Sequence, residues 1–172
     1  ALGVTLFLPE SDRYSQNRLQ LESYIASLLG GRIAEEIIFG KDKVTTGASN
    51  DISRATKICR NMITKWGLSD RIGPIAIEDE EEEVFLGNQF VKKQRSISGK
   101  LAVLIDEEIS IMIDRLYNVS KIIIEDNIDK LHLMAEALLK YETIDSDQIK
   151  VIMEENRISP PLGWEDDFDK IS

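Results

Sequence analysis

Among the side chains able to do acid–base, nucleophilic or metal chemistry, Asp51 sits in the most unusual place. In the stretch TTGASNDISRATKICRNMITKWG, residues 45–67, the side chains of Ile52, Ala55, Thr56, Ile58, Cys59, Met62, Ile63 and Trp66 project onto one broad arc of a 3.6-residue turn. Ser53, Lys57, Arg60 and Thr64 lie opposite. Asp51 falls inside the arc, between the directions of Ile58 and Ala55. A carboxylate taken out of water is costly unless something compensates it. Three compensations are open: the free N–H groups and positive dipole end of a helix's opening turn, worth roughly 0.3–1 kcal/mol; an ion pair with Arg54 at i+3 or a distant base; or a metal ion.

Other reactive groups give weaker signals. The single histidine, His132, lies beside the apolar stripe of its own segment, with no sequence anchor for a Ser-His-Asp or Cys-His set. Cys59, the single cysteine, lies on the apolar arc as a small buried hydrophobe, excludes an internal disulfide and fits a reducing compartment. Glu35 and Glu36 are neighbours on a helical segment, so they point about 100° apart and do not form a catalytic pair. GGRIAEE lacks the Lys-Ser/Thr end of a phosphate loop. The run of six acids at 78–83 lacks the glycine turn and alternating ligands of a calcium loop and is expected to be a solvated loop.

The elements that must position these groups read as mainly helical. Residues 2–8, rich in strand formers and stopped by Pro9, read as a strand. Apolar residues at helical spacing predict a helix over 15–29, ended by Gly30-Gly31, and a second over 32–39, closed by Gly40. The helix carrying Asp51 is ended by Gly67, and VFLG at 84–87 is a short strand or turn. Leu101, Ile105, Ile109, Met112, Leu116, Val119 and Ile123 mark a long amphipathic helix to about Asp126. Two further helices follow, over about 131–139 and 145–155, and the three suggest a small bundle. The tail from Arg157 is expected to be flexible or to lie on a partner.

With 172 residues and 42% hydrophobic content the chain is about one domain with a real core. Its formal net charge of -10 and the absence of a basic face argue against a nucleic-acid partner. Apolar runs as short as Ile122-Ile123-Ile124 do not span a membrane, and no signal peptide shows. The sequence opens ALGVTLFLP without an initiator Met and is expected to continue a longer polypeptide.

Six blocks carry a resemblance to a known family: ALGVTLFLPE (1–10), LLGGRIAEEIIFG (28–40), TTGASNDISRAT (45–56), MITKWGLSDRIGP (62–74), EEEVFLG (81–87) and LLKYETID (138–145). In order and spacing they resemble the protease domain of FtsH, the membrane-anchored ATP-dependent zinc metalloproteases, over about residues 1–155. The resemblance implies a mainly α fold: a helical protease domain with a C-terminal helical bundle and one or two short N-terminal strands. The peptidase fragment is expected over 1–155, with strand 1–8, helices 15–67, acidic loop 78–83 and bundle 98–155, and a flexible tail over 156–172.

The family's centre binds zinc through two histidines of an H-E-x-x-H helix, whose glutamate is the general base, and through a carboxylate from a second helix. The resemblance implies that Asp51 is that third ligand, facing inward because a divalent cation neutralises it. Glu35 is the rival carboxylate, though its segment reads more naturally as a packing junction. The strand Leu2-Gly3-Val4-Thr5 resembles the edge strand on which an extended substrate adds, so Gly3, Val4 and Thr5 are candidate substrate-binding positions. The H-E-x-x-H helix is expected upstream of Ala1. This chain by itself is therefore expected neither to hold zinc tightly nor to cut peptides. The implied parent degrades membrane and cytosolic polypeptides as a homo-hexamer at the cytoplasmic face of the bacterial inner membrane, with ATP and magnesium on a further module. The competing reading is a non-catalytic helical oligomerisation or interaction module.

Overall fold

The computed structural model describes Thr5 and residues 15–77, 83–86, 89–92 and 98–164. The chain divides into two compact units, Ala1–Ile122 and Ile123–Ser172. Among the described residues the elements are α1 (Arg18–Phe39), a 3-10 turn at Lys41–Lys43, α2 (Ser49–Thr64), the hairpin strands β1 (Glu83–Leu86) and β2 (Gln89–Lys92), α3 (Gly99–Asp126), α4 (Ile128–Tyr141) and α5 (Ser146–Glu155). The mainly helical expectation holds.

Helix α1 starts where a local signal tells it to. The Asn17 side chain accepts from the Gln20 backbone N–H, and the Gln20 side chain accepts from the Asn17 N–H, a reciprocal capping box. Gly30-Gly31 does not end the helix, contrary to expectation; α1 runs through it for 22 residues. Each glycine costs about 1 kcal/mol against alanine in a helix interior. Continuous burial outweighs that cost, because Leu21, Ile25, Leu28, Leu29 and Ile33 stay in phase across the pair and are all buried.

Helix α2 packs against α1 and buries Ala55, Cys59, Met62 and Ile63. At its far end the chain reverses through Gly67, whose φ of 61° suits glycine and where an added Cβ would meet Pro74 Cα at 2.7 Å. The Leu68 N–H donates to Met62 O, and the Ile77 N–H to Thr64 O, closing this loop onto the helix. Ser69, buried in the loop, donates to Glu108 and accepts from the Ile72 N–H.

Helix α3 follows the expected stripe from Ile105 to Leu116, burying Ile105, Ile109, Met112 and Leu116, whereas Val119 and Ile123 of that stripe are exposed. Polar links tie it to the α1–α2 pair: Tyr117 to Glu36, Arg115 to Glu22 at 2.8 Å, and Asp106 to Arg60 at 3.5 Å. The expected short strand at 84–87 is β1, paired antiparallel with β2 in the register Val84↔Val91 and Phe85↔Phe90. The acidic run falls outside the described residues except for Glu83, which opens β1. The expected N-terminal strand also falls outside them except for Thr5, which is exposed and has no regular structure.

The boundary between the two units falls within the 98–155 stretch, after Ile122 of α3. In the second unit, α4 and α5 pair around Ala137, Tyr141 and Ile152, with Leu133, Met134, Ile144 and Ile158 packed against them. The first part of the tail, expected to be flexible or to lie on a partner, packs within its own unit. Ser159 O accepts from the buried Gln148 side chain at 2.8 Å, and Trp164 packs edge-on against Tyr141 at 5.0 Å. Two large aromatic faces and a buried amide needing an acceptor hold the segment down. Residues 165–172 lie outside those described.

Candidate functional site at the start of α2

Asp51 lies in the first turn of α2, where sequence periodicity puts it, yet it is exposed rather than inward-facing. Periodicity supplies direction around the helix and says nothing of depth along it. The buried face begins one turn later at Ala55, and Ile52, beside Asp51, is also 39% exposed. No hydrogen bond or ion pair engages the Asp51 carboxylate among the described residues. Arg54, one of the bases open as a partner, stands over the Tyr24 ring, 5.2 Å from its centroid. Of the three compensations, the opening turn of the helix is the one the described residues show, and exposure to water adds to it.

The loop that launches α2 is built from α1. Glu35 accepts from the Thr45 N–H at 2.8 Å and from Thr45 Oγ1 at 3.0 Å, so both of its oxygens are engaged. Thr45 Oγ1 in turn accepts from the Gly47 N–H at 3.2 Å. These Thr45 hydrogen bonds, backbone first, hold the Glu35 carboxyl below its usual range. Glu35 is thus occupied locally, by a loop residue rather than by a second helix. Thr45 was not singled out from the sequence. Its partner is ten residues away across a turn, and no helical or strand period connects the two.

Glu36, on the next face of α1, accepts from Tyr117 Oη at 2.5 Å. That bond lowers the Glu36 carboxyl, while burial and then Glu36 itself push the Tyr117 hydroxyl up to about 12. Glu35 and Glu36 therefore serve different partners, as their angular separation required. Burial pushes the Cys59 thiol up to about 11, in keeping with a packed and unreactive side chain. His132 is exposed on α4, in the second unit. Of the substrate-strand candidates Thr5 is exposed, and Gly3 and Val4 lie outside the described residues.

No group of three His, Cys, Asp or Glu side chains able to hold a metal occurs among the described residues. Catalytic zinc takes three protein ligands, and the described residues bring no such set together at Asp51. The residues described do not by themselves make a zinc site. No helix among the described residues is long and apolar enough to cross a membrane.

Residues 1–152 match the model of peptidase family M41, and the chain belongs to that family. Its relatives include ATP-dependent zinc metalloproteases FtsH. The protein from Buchnera aphidicola subsp. Schizaphis graminum is 52% identical over 95% of this chain and 27% of its own length. That from Photobacterium profundum is 51% identical over 98% of this chain and 24% of its own length. The Haemophilus influenzae protein is 48% identical over 95% and 26%. The chain thus spans about a quarter of the length of the curated relatives it matches.

Proposed function

We propose that this chain is part of an ATP-dependent zinc metalloendopeptidase and that Asp51 is the carboxylate it contributes to the metal. One observation carries the assignment: Asp51 is exposed and unengaged at the opening turn of α2, whereas Glu35, the rival acid, has both oxygens taken by Thr45. An anion at a helix start is favoured by the helix dipole and keeps its charge for a cation. The remaining ligands would be the two imidazoles of an H-E-x-x-H helix outside these 172 residues. One donor does not hold catalytic zinc, so no step of hydrolysis is assigned to this chain alone, and alone it is proposed to be inactive.

The relatives' names supply the ATP dependence and the zinc. The reading extends to polypeptide substrates drawn from membrane and cytosolic proteins. It includes Gly3, Val4 and Thr5 as the positions where an extended substrate would add by main-chain pairing. ATP with magnesium sits on a further module, and the parent is a homo-hexamer attached to the bacterial inner membrane by segments outside this chain. Exposed Val103, Ile111 and Val119 of α3 offer apolar surface that subunit contacts would use.

Asp51→Asn in the full-length protease tests the assignment. Bound metal and peptide hydrolysis are expected to be lost while ATP hydrolysis continues. Retention of both metal and proteolysis would overturn it.

A further inference from the structure

Helix α2 begins without a local cap: Ala48 occupies the cap position and makes no side-chain cap hydrogen bond. What lies next to it comes from another element. Both oxygens of Glu35 reach across to Thr45, and the Thr45 hydroxyl passes the contact on to the Gly47 N–H. From there the backbone is continuous, with Ser49 N–H donating to Thr46 O and Ile52 N–H to Ala48 O. We infer that Glu35 is a positioning residue for Asp51: by clamping Thr45 and, through it, Gly47, it fixes where α2 starts and hence where the Asp51 carboxylate stands.

The clamp has a firm base. Ile33, two residues before Glu35, is fully buried, and Glu36 is held by Tyr117. The space at the clamp is tight as well. A Cβ on Gly47 would lie 3.2 Å from Thr45 Oγ1 and 3.8 Å from Glu35 Oε1, closer to the hydroxyl than nearly all such contacts. A carboxylate that accepts from one backbone N–H and one hydroxyl in the same residue fixes that residue's position and orientation together. Active-site side chains lose rate steeply when displaced by an ångström, so a clamp one loop away acts on the chemistry without touching it. The inference rests on Asp51 being the metal carboxylate only for its effect on catalysis. The clamp itself is a property of this chain.

Amide hydrogen exchange on the 172-residue chain reads the clamp directly. In Glu35→Ala, protection of the Thr45 and Gly47 amides is expected to fall about tenfold, with the amides of α3 unchanged. Glu35→Gln, which keeps one acceptor, should recover much of the Thr45 protection. If Glu35→Ala does not fold, Thr45→Val reads the same relay, because Gly47 should lose its protection while the Thr45 amide keeps its own. Unchanged protection at Gly47 in Thr45→Val, or at both amides in Glu35→Ala, would overturn the inference. In the full-length protease, Glu35→Ala should lower kcat about tenfold or more with KM within about twofold, and Glu35→Gln should restore most of it. Equal activity losses in the two variants would count against positioning. The Asp51→Asn result stands apart: proteolysis surviving that change removes the ligand assignment and leaves the exchange result intact.

Discussion

Helices α5 and α2 begin in opposite ways. At α5 the Asp145 side chain accepts from the Gln148 N–H at 2.8 Å, and the Gln148 side chain accepts from the Asp145 N–H at 3.1 Å. Everything needed lies within four residues. At α2 the cap position is an alanine, and the loop before it is secured by Glu35 from another helix. A start specified locally is robust but can place a residue only relative to its own helix. One secured from a second helix places its first turn relative to the core, which is what a side chain such as Asp51 needs if it is to meet groups from elsewhere.

Several changes would break or sharpen this contrast. If α2 is held chiefly by its buried face, Ile63→Ala should cost about 2–5 kcal/mol in urea unfolding, more than any change at the helix start. At α5, Gln148→Ala should cost about 1–3 kcal/mol, since it removes the side-chain half of the capping box and leaves Ser159 O without its donor. Asp145→Ala, which removes the cap alone, should cost about 1 kcal/mol in the same measurement.

The clamp at α2 adds a pH signature. Because the folded Glu35 carboxyl lies below its ordinary 4.5, its contribution is present above that value and is lost as pH falls through the lowered folded value. Acid titrations of the chain and of Glu35→Gln should therefore differ in stability near neutrality and converge at low pH; a gap that persists in acid would contradict the sign. The smallest effect is expected from Asp51→Asn in this chain alone, within about 0.5 kcal/mol, since the carboxylate is exposed and unpaired here. A larger loss of stability would point to a structural role for Asp51.

Much of the fold was legible wherever a period persisted. The stripe Ile105, Ile109, Met112, Leu116 specified α3 because burial follows a 3.6-residue repeat, and α4 and α5 were read in the same way. The glycine pair at 30–31 does not end the helix, because a buried stripe that stays in phase from Leu21 to Ile33 outweighs local propensity. In the tail no period operates at all. Ser159 and Trp164 follow no period, and their anchors, Gln148 and Tyr141, lie on other segments.

At the site, the sequence by itself determined the family, the helix carrying Asp51 and the direction in which that residue points around the axis, because these depend on residue order and helical geometry. Whether Asp51 is buried, what Arg54 does and which acid is occupied were decided by tertiary structure alone. Depth along a helix and contacts such as Glu35 to Thr45 depend on where a second element ends, and no spacing within one segment encodes that.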